Sequence, residues 1–127
     1  MVAIRSWADG DPSVAVGSTA TLEWDVFREK GREGYTENEA PLEGLLGMVL
    51  HRIQAGKDGS YHQHDDREHI CYFTKGRGKV KIEGDLHEVR EGVAVHVPPH
   101  TRHQIINDSD EWIEYLIVSG AVAREQP

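Results

Sequence analysis

The sequence predicts an all-β protein, a barrel or sandwich of short antiparallel strands. Two observations carry this. Apolar and polar residues alternate with period two in KVKIE (79–83) and VAVHV (93–97), as they do on strands with one buried face. Turn residues then break the chain at short intervals, at Gly10-Asp11-Pro12, Gly76-Arg77-Gly78, Pro98-Pro99 and Asn107-Asp108.

Bulk properties narrow the function by exclusion. The 127 residues suffice for one domain around one core. A hydrophobic share of 38% and a charged share of 28% are those of a soluble globular chain. With a net charge of −8 and no basic patch, a nucleic-acid surface is not expected. Cys71 is the sole cysteine, so no internal disulfide forms. The start, MVAIRSWADGD, lacks an apolar core of signal-peptide length, and no stretch is long enough to span a membrane. The cytoplasm is the default compartment.

The elements follow in chain order. Residues 1–41 divide into short strands and a loop. Val2/Ile4 and Val14/Val16, punctuated by glycines 10 and 17, read as short strands at a sheet edge or subunit contact. LEWDVFREK (22–30) fits a strand through Leu22, Trp24 and Val26, and a helical face through Leu22, Val26 and Phe27. Residues 28–41 are polar and glycine-bearing, a loop with a solvated acidic face.

LLGMVLHRIQA (45–55) is an apolar strand on which His51 and Arg52 face opposite ways. An inward Arg52 would partner a carboxylate or phosphate. An inward His51 reads more simply as a hydrogen-bonded histidine than as a metal ligand. Gly84-Asp85 is expected to turn KVKIE into LHEVR, where His87 is a plain strand residue. Pro98-Pro99 ends VAVHV, WIEYLIV (112–118) is the last strand, and the tail after Gly120 is loose.

The chemistry concentrates in two stretches. Six of the eight histidines lie within residues 62–69 or 96–103. His62 and His64 are two apart, so in extended chain their imidazoles leave one face. His69 opens the apolar run that continues ICYF, sharing a face with Cys71 and Phe73 while Glu68, Ile70 and Tyr72 take the other. Neutral imidazole is a versatile ligand for divalent metals.

Residues 56–76 and 92–107 resemble the two motifs of the cupin family. The first motif is Gly, five residues, His, one, His, three or four, Glu, six, Gly; Gly56, His62, His64 and Gly76 fall in that register. The second is Gly, five, Pro, one, Gly, two, His, three, Asn; Gly92, Pro98, His103 and Asn107 match, with His100 in the glycine position. One departure matters. With six residues between it and Gly76, the glutamate position holds His69, and Glu68 fits only the shorter spacing from His64.

The resemblance implies one small jelly-roll barrel over residues 1–127, with a divalent transition metal (iron, manganese, nickel, copper or zinc) inside its wider mouth. The ligand set it points to is His62, His64, His69 and His103, with Glu68 as the alternative donor. Cys71, Phe73 and Ile105 are candidates for the lining of a pocket for a small-molecule substrate. Cupin barrels commonly pair through faces outside the metal site, so a homodimer is expected.

Neutral imidazoles leave the charge of the ion uncompensated, which favours an anionic ligand. The leading reading is an oxidoreductase of the non-haem iron dioxygenase type acting on a small organic anion. The alternatives are a non-oxidative isomerase, lyase or dehydratase, and a non-catalytic small-molecule-binding cupin. Glu68, His96, Tyr72 and Arg52 are positional candidates for a general base, and no catalytic residue is assigned.

Overall fold

Alternation along Arg67–Lys75 turns His69, Cys71 and Phe73 inward and leaves Ile70 and Tyr72 on the outer surface. The same rule builds the remaining strands in the computed structural model, which describes residues 2–122. In order these are β1 (Ser13–Val14), β2 (Thr21–Arg28), β3 (Leu45–Ile53), β4 (Arg67–Lys75), β5 (Arg77–Ile82), β6 (Asp85–Arg90), β7 (Ala94–Val97), β8 (His103–Ile106) and β9 (Ile113–Ala121). They form a six-stranded sheet in the order β1-β2-β3-β9-β4-β7 and a three-stranded sheet in the order β6-β5-β8. All pairings between named strands are antiparallel, as expected for an all-β chain.

The core lies between the sheets. Ile53, Phe73, Ile113 and Tyr115 from the larger sheet meet Val80, Val89 and Ile105 from the smaller one. Asn107 ties the end of this core together: its side-chain amide donates to the carbonyls of Ile53, Gln54 and Glu111. A fully buried amide is tolerable because its hydrogen bonds are made. The asparagine of the second motif is therefore structural.

Glycine sets the joins. Gly76 alone connects β4 to β5, with φ of +81° and room for no side chain: a Cβ there would lie 2.8 Å from the Trp112 carbonyl oxygen. The next hairpin sits one residue earlier than expected. Ile82 pairs with Asp85, so Glu83 and Gly84 form the turn, both at positive φ, as a tight type I′ turn demands.

The amino-terminal stretch departs further from expectation. Of the strands expected there, β1 is two residues long, at the edge of its sheet. Trp7–Asp9 is a 3-10 turn capped by Ser6, whose Oγ accepts from the Ala8 N–H at 3.2 Å. This turn sets Trp7 edge-on to Trp24, with ring centroids 5.3 Å apart. The Arg52 guanidinium stands over both rings and pairs with Glu114 at 2.7 Å. Arg52 is thereby committed to the outer face, and His51 looks inward. The ambiguous segment 22–30 resolves as strand β2 through Arg28, which pairs antiparallel with β3 from Thr21–Ile53 to Arg28–Gly47. The tail is ordered at its start, where Ala121 pairs with Arg67; residues 123–127 lie outside the described residues.

Candidate metal centre

Three elements bring the motif histidines together. His62 and His64 sit on the connection between β3 and β4, which is extended but not a regular strand. It is pinned to β8 by a two-way bridge: the His62 N–H donates to the His103 carbonyl at 3.1 Å, and the His103 N–H to the His62 carbonyl at 2.8 Å. His64 follows on the same side, its ring 4.8 Å from that of His62, and its carbonyl accepts the His100 N–H at 2.7 Å. His103 enters from the small sheet and His69 from the large one.

The imidazole nitrogens of His62, His64 and His103 lie within 4.8 Å of one another. His69 stands beside this trio, its ring centroid 4.7 Å from His64 and 6.0 Å from His103. Glu68 points the other way and pairs with the exposed His96 at 2.8 Å.

The His103 tautomer suits coordination. His103 Nδ1–H donates to the Thr101 carbonyl at 2.9 Å, which leaves its Nε2 with a free lone pair, while His62 Nδ1 is engaged by Ser60, 2.8 Å from its hydroxyl and 3.1 Å from its carbonyl. Both ring nitrogens of His69 are buried without a hydrogen-bond partner among the described residues. Such orphaned polar atoms are costly unless something satisfies them, and a cation accepting one lone pair would do so. Burial, reinforced by the neighbouring imidazoles, pushes His64 down to about 4 and His69 down to about 3. Burial lowers His103 as well, against an opposing hydrogen bond to Thr101. These rings are therefore neutral near pH 7, the form in which imidazole binds a metal, and the residues present fit one.

The same shifts make the metal-free protein acid-sensitive. Unfolding returns His64 and His69 to the ordinary 6.5. Between 6.5 and about 4 the unfolded chain thus holds protons that the folded chain lacks, so stability drops as the pH falls through that window. Thermal melts of chelator-treated protein should show a lower melting temperature at pH 5 than at pH 7. A higher one at pH 5 would contradict the assignment of these rings as buried and neutral.

The imidazoles open into a cavity of about 220 Å³ between the sheets. Cys71 and Ile105 are on its wall, and Phe73 is not. Phe73 lies two residues farther along β4, where the inward face meets the core; it is fully buried and packs on Tyr115 with ring centroids 5.2 Å apart. Period-two alternation assigns a face but not a depth, so Phe73 belongs to the core and not to the pocket. Burial raises the Cys71 thiol to about 12, so the group stays a neutral apolar contact.

Glu68, His96, Tyr72 and Arg52, the positional candidates for a base, all lie off this cavity. Its polar wall instead includes Glu23, Arg28, His51, Arg67 and Tyr115. The signal for them was faint. Glu23 and Arg28 lie in the segment that fitted both strand and helix, and His51 shared an unresolved choice with Arg52. Only the register between distant strands unites them.

Comparisons with known proteins now bear on the whole. A family profile described as a cupin domain matches residues 49–119, which contain every histidine of the centre. Glucose-6-phosphate isomerase of Thermococcus onnurineus is 34% identical over 104 residues, covering 72% of this chain and 55% of that protein. This chain thus spans about 55% of the length of that relative. KdgF from Halomonas sp. superposes with a TM-score of 0.73 at 18% identity, covering 98% of this chain and 97% of the other. The polyketide cyclase RemF from Streptomyces resistomycificus does so with a TM-score of 0.74 at 16% identity, over 99% and 89% respectively. The two antiparallel sheets, the paired motifs and the matched profile converge, and the chain belongs to the cupin family.

Proposed function

We propose that the protein is a metal-dependent cupin that moves a proton on a small organic anion without oxidising it, as in an isomerisation, elimination or dehydration. His62, His64, His69 and His103 hold the ion in this reading. When bound, the ion supplies Lewis-acid polarisation of a substrate oxygen. The chain supplies the rest. Arg28, on the same cavity, carries a buried Nε without a hydrogen-bond partner and only long contacts to Asp25 and Glu29, at 3.5 and 3.8 Å. An arginine on the cavity wall whose Nε finds no hydrogen-bond partner is the observation that carries an anionic substrate, a carboxylate or a phosphate.

The non-oxidative form gains support from the relatives with appreciable sequence identity, several of which are named glucose-6-phosphate isomerase. The dioxygenase expected from the imidazole set has no such support. Protein loaded with zinc or manganese should turn over a member of a panel of sugar phosphates and uronates in the absence of oxygen, and lose that activity to a chelator. Oxygen uptake stoichiometric with product would restore the oxygenase. Recovery of every substrate unchanged would make this a binding protein.

The expected homodimer belongs to the same reading. Val14 and Val16 of the edge segment expose apolar surface, as do Ile70 and Tyr72 on the outer face of β4. Light scattering at micromolar concentration should give about twice the monomer mass, and a monomer mass would remove this part.

A further inference from the structure

Of the four clustered histidines, His64 alone lies outside a strand or bridge. His69 is in β4, His103 is in β8, and His62 is bridged to His103 through both backbones. The turn between β7 and β8 supplies the support that His64 lacks. Pro98 and Pro99 have no N–H to give, so His100 offers the first backbone donor after β7. It donates to the His64 carbonyl at 2.7 Å. Its side chain reaches the next residue of the same segment, with Nδ1 2.9 Å from Asp65 Oδ1. A carboxylate only accepts, so His100 Nδ1 carries the proton. Gln63 Nε2 donates to the same Asp65 oxygen at 2.9 Å, so both neighbours of His64 are tied to each other.

The geometry points to His100 as the positioning residue of the metal centre: its left-handed backbone aims adjacent peptide groups at His64 and His103, and its side chain clasps Asp65. The inference rests on the four-imidazole reading above and adds to it the residue that places the donor the sheets leave unsupported.

The backbone accounts for two of the bonds. His100 has φ of +60°, in the left-handed region, where few residues other than glycine settle. It fills the glycine position of the second motif. The reversal there lets the His100 N–H face the connection between β3 and β4, while the next carbonyl, that of Thr101, accepts His103 Nδ1–H at 2.9 Å. The Thr101 hydroxyl closes the turn by donating to the Pro99 carbonyl at 3.2 Å. Two donors from different segments are thus bracketed by two adjacent residues. Neither His100 nor Thr101 lines the cavity, so both act through the imidazoles and not on a substrate.

The side chain accounts for the third bond. Glycine would take this backbone without strain, and what histidine has over glycine is the clasp on Asp65. Both side chains are 67% exposed, so water and salt weaken that clasp. The backbone brackets carry the larger share, because partners that orient a metal ligand are worth about 10–100-fold in affinity.

Zinc affinity of the full chain, measured by competition with a chelator, separates the two shares. His100→Gly keeps the turn and loses the clasp, and should weaken zinc binding about twofold to fivefold. Asp65→Ala should do the same, and the double variant should be no weaker than either single one. His100→Val, β-branched and ill suited to positive φ, should break both brackets and weaken zinc binding about tenfold or more. His100→Ala, less strained, carries the same test should His100→Val not fold. A readout that general loss of stability would not move is the 15N spectrum of the metal-free protein. The His103 ring should be protonated at Nδ1 in the parent and in His100→Gly, and a mixture of tautomers in folded His100→Val. Zinc affinity within twofold of the parent in folded His100→Val overturns the positioning role and leaves the metal centre standing. Unchanged affinity in His100→Gly, or additive losses in the double variant, overturns the clasp. A parent protein that takes up no zinc overturns the four-imidazole reading and this role with it.

Discussion

Alanine at His103 should empty the metal centre. Protein purified without chelator and subjected to elemental analysis should carry about one divalent ion per chain, and the His103→Ala protein almost none. An outer partner of a ligand alone is worth about 10–100-fold in affinity, and removing a donor costs at least that. His62→Ala should behave alike, because the two residues are bonded to each other through both backbones as well as facing one point. The decisive pair is Glu68 and His69. Glu68 is half-buried, points away from the cluster and is engaged by His96, so Glu68→Ala should leave metal content nearly intact, whereas His69→Ala should reduce it. The opposite result would show that the shorter motif spacing governs and that the carboxylate swings inward.

Phe73→Ala should cost about 3–5 kcal/mol of stability in urea unfolding, the range for deleting a fully buried aromatic ring. The ring contacts Tyr115 in the middle of the core, where neighbours on both sheets prevent collapse into the void. Ile70→Ala, three residues away on the outer face at 48% exposure, should change stability far less, by roughly 1 kcal/mol or under. Metal content of Phe73→Ala should match the parent. A loss below about 1 kcal/mol would return Phe73 to the pocket wall.

Much of this molecule was legible as text, for a local reason. Alternation in β4, β5 and β7 reports which residues share a face, and the glycines mark the joins, so the all-β fold and the shared face of His69, Cys71 and Phe73 needed no partner strand to be read. Whatever depends on a second strand was harder. Alternation says that His51 and Arg52 oppose each other but not which is inside; the stacked tryptophans and Glu114 decide that. The depth of Phe73 along β4 is likewise a property of the opposing sheet. The row of Glu23, His51 and Tyr115 is joined only by register between residues 28 and 64 positions apart, and no local pattern announces it. The 3-10 turn at Trp7 is held by a Ser6 cap in a stretch whose valines and isoleucine read as strand.

The order of the large sheet bears on how the chain reaches its structure. The last strand, β9, lies at the centre, between β3 and β4, and pairs with both along most of their length. Until Ile113–Ala121 has left the ribosome, β3 and β4 each present an unpaired edge, and Ile113 and Tyr115 are missing from the core. Folding must therefore wait for β9 and then close loops of more than 60 residues, as the pairing of His51 with Tyr115 shows. Topologies of such high contact order fold in about milliseconds to seconds. During synthesis the exposed strand edges are an invitation to aggregate. A chain truncated before Ile113 would keep both histidine motifs and still lack the strand that joins the two halves of its sheet.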